Sequence, residues 1–235
     1  MTPSEPVDRV GALDQMRLSR TTMAEQILDV LRGQILGGKL PPGTPLREIT
    51  LANKFDVSRN TVREAIRLLV HEGLVRQDMH RSAQVTQHTP ADLRDILRAR
   101  ATLELSATGL LAWATDEQLA GLGRWVALMQ QAVDAGDGNA AVEADLAFHR
   151  GVVALLGSSR LDQFYEGLQR ELRLGLATLD RQVPYQGKVR EHRQLAELAA
   201  ARDVDGLRAA VAAHLEETET ELLSLVSGRG SPVSR

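Results

Sequence analysis

Residues 58–73 read SRNTVREAIRLLVHEG, and this stretch says more about the fold than any other in the chain. Ser58 is of the residue types that cap helix N-termini, and Gly73 is suited to ending a helix. Apolar residues recur between them at three- and four-residue steps, which predicts an amphipathic helix. Its apolar side carries Val62, Ile66, Leu69 and Val70. Its polar side begins with Ser58, Arg59, Asn60, Thr61 and Arg63.

The segments around this helix predict a winged helix-turn-helix over residues 21–88, with three helices and a small β-hairpin. The first helix runs from Thr22 to the glycine pair 37–38, a short second helix covers 47–55, and the third follows Ser58. Extended pieces at 74–77 and 82–87 then flank a hairpin tip, DMHR.

In such a module the third helix leaves its polar face free for the major groove of DNA. Its first turn offers backbone N–H groups to phosphates, and Arg59 and Arg63 can reach a phosphate or a guanine edge. The residues alone leave open which of these the arginines contact. They also leave open an alternative, in which the segment is an amphipathic surface helix without a DNA partner.

The same region closely resembles the DNA-binding domain of GntR-family transcription regulators. The resemblance covers residues 22–87 and is carried by ILGGKLPPGTPLRE (35–48), LANKFDVSRNTVREAIRLL (51–69) and EGLV (72–75). It implies DNA contacts from Arg47, Arg59, Thr61 and Arg63, with Ser58 as the helix cap and a phosphate contact. The family often has a glycine at the wing tip, but here residues 78–81 have none. His80 and Arg81 are left as the expected wing contacts.

Residues 89–228 predict a second, all-helical domain. Thr89 suits an N-cap and Pro90 the first helical position, and no strand-like alternation follows. The expected helices are 90–113, 116–135, 139–156, 159–179, 187–201 and 203–227. The predicted fold is therefore mainly α, a winged helix-turn-helix followed by a bundle of about six helices. Residues 1–20 and 229–235 are expected to be a flexible and a disordered tail.

Composition removes several classes of function. The chain has no cysteine, which excludes disulfides, thiolate metal sites and cysteine nucleophiles. No apolar run approaches the roughly 18 residues of a membrane span, and the first twenty residues lack the apolar core of a secretory signal. We therefore expect a cytoplasmic protein without a membrane partner. The net charge is −3, mildly positive over 21–90 and negative beyond, which permits DNA binding by the N-terminal part.

Three histidines fall on or beside apolar stripes of three different predicted helices: His149, His192 and His214. Asp145 lies one helical turn before His149, on the same face. Taken singly, each histidine is best explained as a hydrogen-bonded core residue. Together, the four side chains favour a shared divalent cation, since buried unpaired polar groups are costly. Imidazole and carboxylate suit Zn, Ni, Mn or Fe, and four such ligands leave positions open for water or a ligand's oxygen atoms.

The second domain resembles the FCD ligand-binding domain of the FadR-type branch of GntR regulators. The resemblance is carried by DLAFH (145–149), EHRQLAELAAARD (191–203), AVAAHL (210–215) and LRARATLELSA (97–107). It implies that Asp145, His149, His192 and His214 are the metal ligands and that Arg100 lies near the effector pocket, where it could grip a carboxylate. A surface ion pair between Arg100 and Glu104 is the alternative. Ser159 stands where the family commonly has asparagine.

Three functions follow from these patterns. The leading hypothesis is a homodimeric repressor that binds a palindromic operator and responds to a small carboxylate bound near the metal. The alternatives are a metal-dependent enzyme that activates water with the same Asp/His₃ set, and a sensor of the metal itself. No additional carboxylate or histidine is spaced to serve as a general base, so we expect a protein that is not an enzyme.

Overall fold

The computed structural model describes residues 22–78, 82–177 and 185–227. Over these ranges the chain is mainly helical with one small antiparallel sheet, which confirms the predicted fold class. The predicted tails at 1–20 and 229–235 lie outside the described residues, as does most of the predicted wing tip. The helices are α1 (Met23–Leu36), α2 (Glu48–Phe55), α3 (Arg59–His71), α4 (Pro90–Thr108), α5 (Asp116–Asp134), α6 (Gly138–Val153), α7 (Ser159–Ala177), α8 (Tyr185–Ala200) and α9 (Val204–Ser227). The strands are β1 (Pro45–Leu46), β2 (Val75–Arg76) and β3 (Ala83–Val85).

Helix α3 begins as its sequence predicts. The Ser58 hydroxyl accepts a hydrogen bond from the Thr61 backbone N–H at 3.1 Å, so one of the unpaired N–H groups of the first turn is satisfied. The apolar side of α3 packs against α1, and Val62, Ile66 and Leu69 are fully buried there. The polar side of α3 therefore remains at the surface, where the sequence predicts a DNA contact.

The sheet has one more strand than the sequence predicts. Its order is β1-β3-β2, so β3 pairs on both edges, with Val75 opposite Val85 and Pro45 opposite Gln84. Strand β1 has only two residues and begins with proline, so it shows no alternating pattern of its own. It is extended because β3, almost forty residues later, offers an open edge for pairing. A pairing of this range is not visible in local periodicity.

The bundle begins at Pro90, in the first position of α4, and Thr89 and Asp92 form a reciprocal capping box before it. Helix α4 ends at Thr108, earlier than the predicted 113, and a short 3₁₀ turn covers Leu111–Trp113. Helix α6 likewise ends at Val153 and continues as a 3₁₀ turn. Both changes tighten the last turn of a helix, where i,i+3 bonds satisfy carbonyls that lack an α-helical partner.

Helix α7 is capped by Ser158, whose hydroxyl accepts from the Leu161 backbone N–H. Ser159, which stands where the family commonly has asparagine, is the first helical residue. Ser158 is favoured because its own carbonyl already accepts the backbone N–H of Asp162, which puts it at the N-cap position.

Two large apolar cores, one in the N-terminal part and one in the bundle, and a smaller apolar cluster organise the described residues. One bundle residue, Leu174 of α7, is buried in the N-terminal core beside α1. Of the described helices, none combines the length and the hydropathy that crossing a membrane requires. The bundle core includes Ala107, Leu111, Leu122, Met129, Phe148, Val152, Leu195, Val211 and Leu215.

Candidate functional site

The four predicted metal ligands come together inside the bundle. His149 lies on α6, His192 on α8 and His214 on α9, and their imidazoles are buried. The Nε2 atom of His149 is 3.0 Å from that of His192 and 3.3 Å from that of His214. Asp145 Oδ1 lies 3.0 Å from His192 Nε2. We call Asp145, His149, His192 and His214 the Asp/His cluster.

Each imidazole turns its other nitrogen, Nδ1, toward an oxygen acceptor. A carboxylate or carbonyl acceptor places the ring proton on Nδ1 and leaves a lone pair on Nε2. Metal-binding histidines have the same arrangement in most proteins, because the outer hydrogen bond sets the tautomer and the ring orientation. The three pairs are His149 with Glu104 Oε2 at 2.7 Å, His192 with the Lys188 carbonyl at 2.7 Å, and His214 with Glu191 Oε2 at 2.9 Å.

The cluster suits a divalent cation better than a set of core histidines. One ligand atom from each histidine lies within 4.8 Å of the others, and the Nε2 lone pairs face one another across buried space. Lone pairs and a carboxylate oxygen at these distances repel unless a proton or a cation lies between them. One proton can bridge a single pair of nitrogens, whereas one cation can accept all four ligands. Nitrogen and carboxylate donors fit Zn, Ni, Mn or Fe.

The charges in the cluster are strongly coupled. Burial alone would lower the pKa of His192, but the adjacent Asp145 carboxylate raises it above the ordinary value. Burial and repulsion from the other two imidazoles lower the pKa of His214 to about 2. Asp145 therefore favours a proton on His192, whereas burial among the other imidazoles disfavours one on His214. Protons and a metal ion compete for the same lone pairs.

Arg100 and Glu104 form a buried pair beside the cluster. The Arg100 Nε donates to Glu104 Oε1 at 2.5 Å, and the two side chains are 4% and 0% exposed. The alternative of a surface ion pair is therefore wrong. The i,i+4 spacing was correct, but the face that carries both residues packs inward. Burial raises the pKa of Glu104, and the nearby Arg100 and His149 outweigh it, so the pKa lies well below its usual range.

One nitrogen of Arg100 has no acceptor. Its Nη2 atom is buried and has no hydrogen-bond partner among the described residues. A buried donor without a partner carries the full cost of its lost hydration. Burial lowers the pKa of Arg100, but Glu104, Tyr165 and Asp145 raise it above the ordinary value, so the guanidinium stays charged. An anionic oxygen would satisfy this nitrogen.

Four residues that support the cluster were missed as site residues from sequence. The sequence marks Glu104 only as the partner of Arg100, and Glu191 only as the first residue of EHRQLAELAAARD. Neighbours on a helix point in different directions, and Glu191 does so by contacting His214 instead. Tyr165 donates to Glu104 Oε1 at 2.6 Å, and Lys188 contributes its backbone carbonyl. Nothing in local spacing marks these last two, since their partners lie on other helices or use the main chain.

The predicted DNA-binding residues lie together at the surface of the N-terminal part. Arg47 precedes α2, and Ser58, Arg59 and Arg63 are exposed at the start of α3, with Thr61 half-buried among them. Arg63 is held by Glu48 of α2, with Nε and Nη2 donating to the two carboxylate oxygens at 3.0 and 2.7 Å. The predicted wing contacts His80 and Arg81 lie outside the described residues.

Comparison with known proteins agrees with this architecture. Residues 95–217 match the FCD domain, and residues 23–85 match the gntR family of bacterial regulatory proteins. A "Probable D-xylose utilization operon transcriptional repressor" of Paenarthrobacter nicotinovorans is 29% identical over 85% of this chain and 88% of its own length. An uncharacterized HTH-type transcriptional regulator of Streptomyces ambofaciens is 31% identical over 79% of this chain and 78% of its own.

Among solved structures, a GntR-type transcriptional regulator from Rhodococcus sp. RHA1 has the same fold. Its TM-score is 0.77 at 24% identity, covering 87% of this chain and 99% of that one. The relatives named here are transcription regulators rather than enzymes. The winged helix, the bundle and both domain matches lead to one conclusion: the chain belongs to the GntR family of bacterial regulatory proteins and is a DNA-binding transcription regulator with a C-terminal FCD domain.

Proposed function

We propose that this regulator is a repressor of the FadR-type branch, acting in the cytoplasm, whose operator affinity is altered by a small carboxylate bound beside a divalent metal. The observation that carries the proposal is the convergence of three Nε2 atoms, each with its Nδ1 turned to an oxygen acceptor. Asp145, His149, His192 and His214 would hold the metal. When bound, the metal supplies a positive centre with coordination positions left for oxygen ligands.

Arg100 is the residue we assign to the carboxylate effector. Its Nε already donates to Glu104, which leaves the buried, unpaired Nη2 to donate to an incoming carboxylate oxygen. A charged donor in buried surroundings makes a stronger hydrogen bond than a neutral one in water. Glu104 orients Arg100 and His149 at once, so it links the proposed effector contact to the proposed metal ligands.

We also propose that the protein is a homodimer on a palindromic operator, because two recognition helices related by twofold symmetry match two half-sites. Exposed apolar side chains in the bundle support a buried subunit contact: Trp113, Trp125, Leu128 and Phe164. Light scattering should give twice the chain mass of 25.7 kDa, and a monomeric mass at micromolar concentration would contradict the dimer.

Replacing Arg63 with alanine should weaken operator binding by about 5- to 150-fold, since a single arginine contact to DNA contributes roughly 1–3 kcal/mol. Fluorescence anisotropy can measure this on a duplex enriched from a random pool by the wild-type protein. Arg208→Ala removes an exposed arginine from α9 and serves as the control, with binding expected to be unchanged. Equal affinity of the Arg63 variant and wild type would show that our groove assignment is wrong.

Replacing His149 or His214 with alanine should remove the bound metal and the stability that it adds. A ligand at 100 times its Kd stabilises the folded state by about 2.7 kcal/mol, which raises the melting temperature by several degrees. Elemental analysis and thermal melts with Ni²⁺ or EDTA measure both effects. His71→Ala, an exposed histidine at the end of α3, is the matched control. A wild-type protein that binds no divalent metal would refute this part of the proposal.

Replacing Arg100 with lysine should abolish the response to small carboxylates while metal binding is retained. Lysine keeps the positive charge beside Glu104 but lacks the planar fork that can serve two partners. A thermal-shift screen of small carboxylates, with and without divalent metal, compares this variant with wild type. If the metal alone changes operator affinity and no carboxylate adds to it, the protein is a metal sensor instead.

A further inference from the structure

Helix α7 contacts both functional parts of the chain. Near its start, the Tyr165 hydroxyl donates to Glu104, the carboxylate that orients His149 and Arg100. Nine residues later, Leu174 is buried in the apolar core of the N-terminal domain. At 1.5 Å per residue the two positions are about 14 Å apart along one helix axis. A single rigid element therefore joins the Asp/His cluster to the DNA-binding domain.

The far end of α7 lies against the end of the recognition helix. Gly73, the residue that follows α3 and its cap, has a left-handed backbone with φ of +75°. A Cβ placed on Gly73 would lie 3.1 Å from Glu171 Cγ, so the Glu171 side chain packs directly on this backbone. The end of α3 is therefore in contact with α7 through the Glu171 side chain.

Between its two ends, α7 is held by α4 and α6. The Gln169 amide donates to the Leu146 carbonyl of α6, and Leu172 packs with Ile96 and Leu97 of α4 in a small buried cluster. The backbone of Gly175 approaches α4 closely, since a Cβ there would lie 2.8 Å from Leu93 Cδ2. Interiors packed this closely shift between discrete arrangements rather than deform continuously.

A cleft lies next to the Gly73–Glu171 contact. Its volume is about 380 Å³, and Arg76, His88 and Asp92 are among the residues that line it. Leu174 and Glu171 are thus among the α7 residues that contact the N-terminal domain, and the cleft separates part of the facing surfaces. A shift of α7 can be taken up as a tilt of the N-terminal domain.

We propose that α7 couples the Asp/His cluster of this regulator to its DNA-binding domain. Tyr165 connects α7 to the cluster, and Glu171 and Leu174 connect it to the N-terminal domain. The inference rests on the proposed function, because the change that α7 transmits begins at Glu104, beside the proposed metal and effector sites. When Glu104 adjusts to a ligand on Arg100 or His149, Tyr165 follows its hydrogen-bond acceptor and carries α7 with it. Coupling is reciprocal, so operator binding shifts the same equilibrium at the cluster.

A double-mutant cycle on operator affinity tests the coupling without a known effector. The full-length protein is compared with Tyr165→Phe, Glu171→Ala and the double variant, each as purified and after EDTA treatment. If the two substitutions act independently, their separate effects on the operator Kd should multiply to within about twofold. We expect Tyr165→Phe to change the operator Kd at least fivefold in the wild-type background and less than twofold beside Glu171→Ala. Gln163→Ala, on an exposed face of α7, is the control and should have no effect in either background.

The outcomes separate this inference from the proposed function. If Tyr165→Phe has the same effect in both backgrounds, or no effect in either, α7 does not couple the domains and the inference is overturned. If Ni²⁺ fails to bind in calorimetry, the metal proposal fails, but the cycle still reports on α7. Circular dichroism checks the fold of each variant. Should Glu171→Ala unfold, Glu171→Ser replaces it, since it likewise removes the Cγ that packs on Gly73, and the same loss of the Tyr165 effect is expected.

Discussion

The architecture of the ligand-binding part depends on one buried carboxylate. Glu104 is fully buried and accepts hydrogen bonds from donors on three helices: Arg100 on α4, His149 on α6 and Tyr165 on α7. A buried charge is tolerated only when it is paired and hydrogen-bonded, and removing one partner of such a pair costs about 3–5 kcal/mol. The position of each of these helices is therefore tied to the others through this single side chain.

The same constraint explains how the site can be both rigid and responsive. Glu104 places the proton of His149 on Nδ1, which directs the Nε2 lone pair into the Asp/His cluster. It also holds Arg100 with one nitrogen unpaired. In the proposed coupling, a ligand on either residue alters the hydrogen bonds to Glu104, and Tyr165 is joined to the same carboxylate by a hydrogen bond of 2.6 Å. The contacts of Arg100 and His149 and the position of α7 thus all depend on the Glu104 carboxylate.

Much of the fold was predictable because its signals are local. Helix periodicity, the Ser58 and Thr89 caps and the glycine stops depend on neighbours within about four residues, and the helices appear where they predict them. The predictions failed where a distant partner decides the conformation. Strand β1 forms because β3 pairs with it.

By itself, the sequence determined the two-domain organisation, the exposed polar face of α3 where DNA contacts are expected, and the identity of four candidate metal ligands. Only the tertiary structure decided that Arg100 and Glu104 face inward, that Glu191 turns to His214, and that α7 reaches into the N-terminal core. The reason is physical. Periodicity tells which face of a helix is apolar, whereas the contact between residues such as Glu104 and Tyr165, 61 positions apart, depends on how whole helices pack against one another.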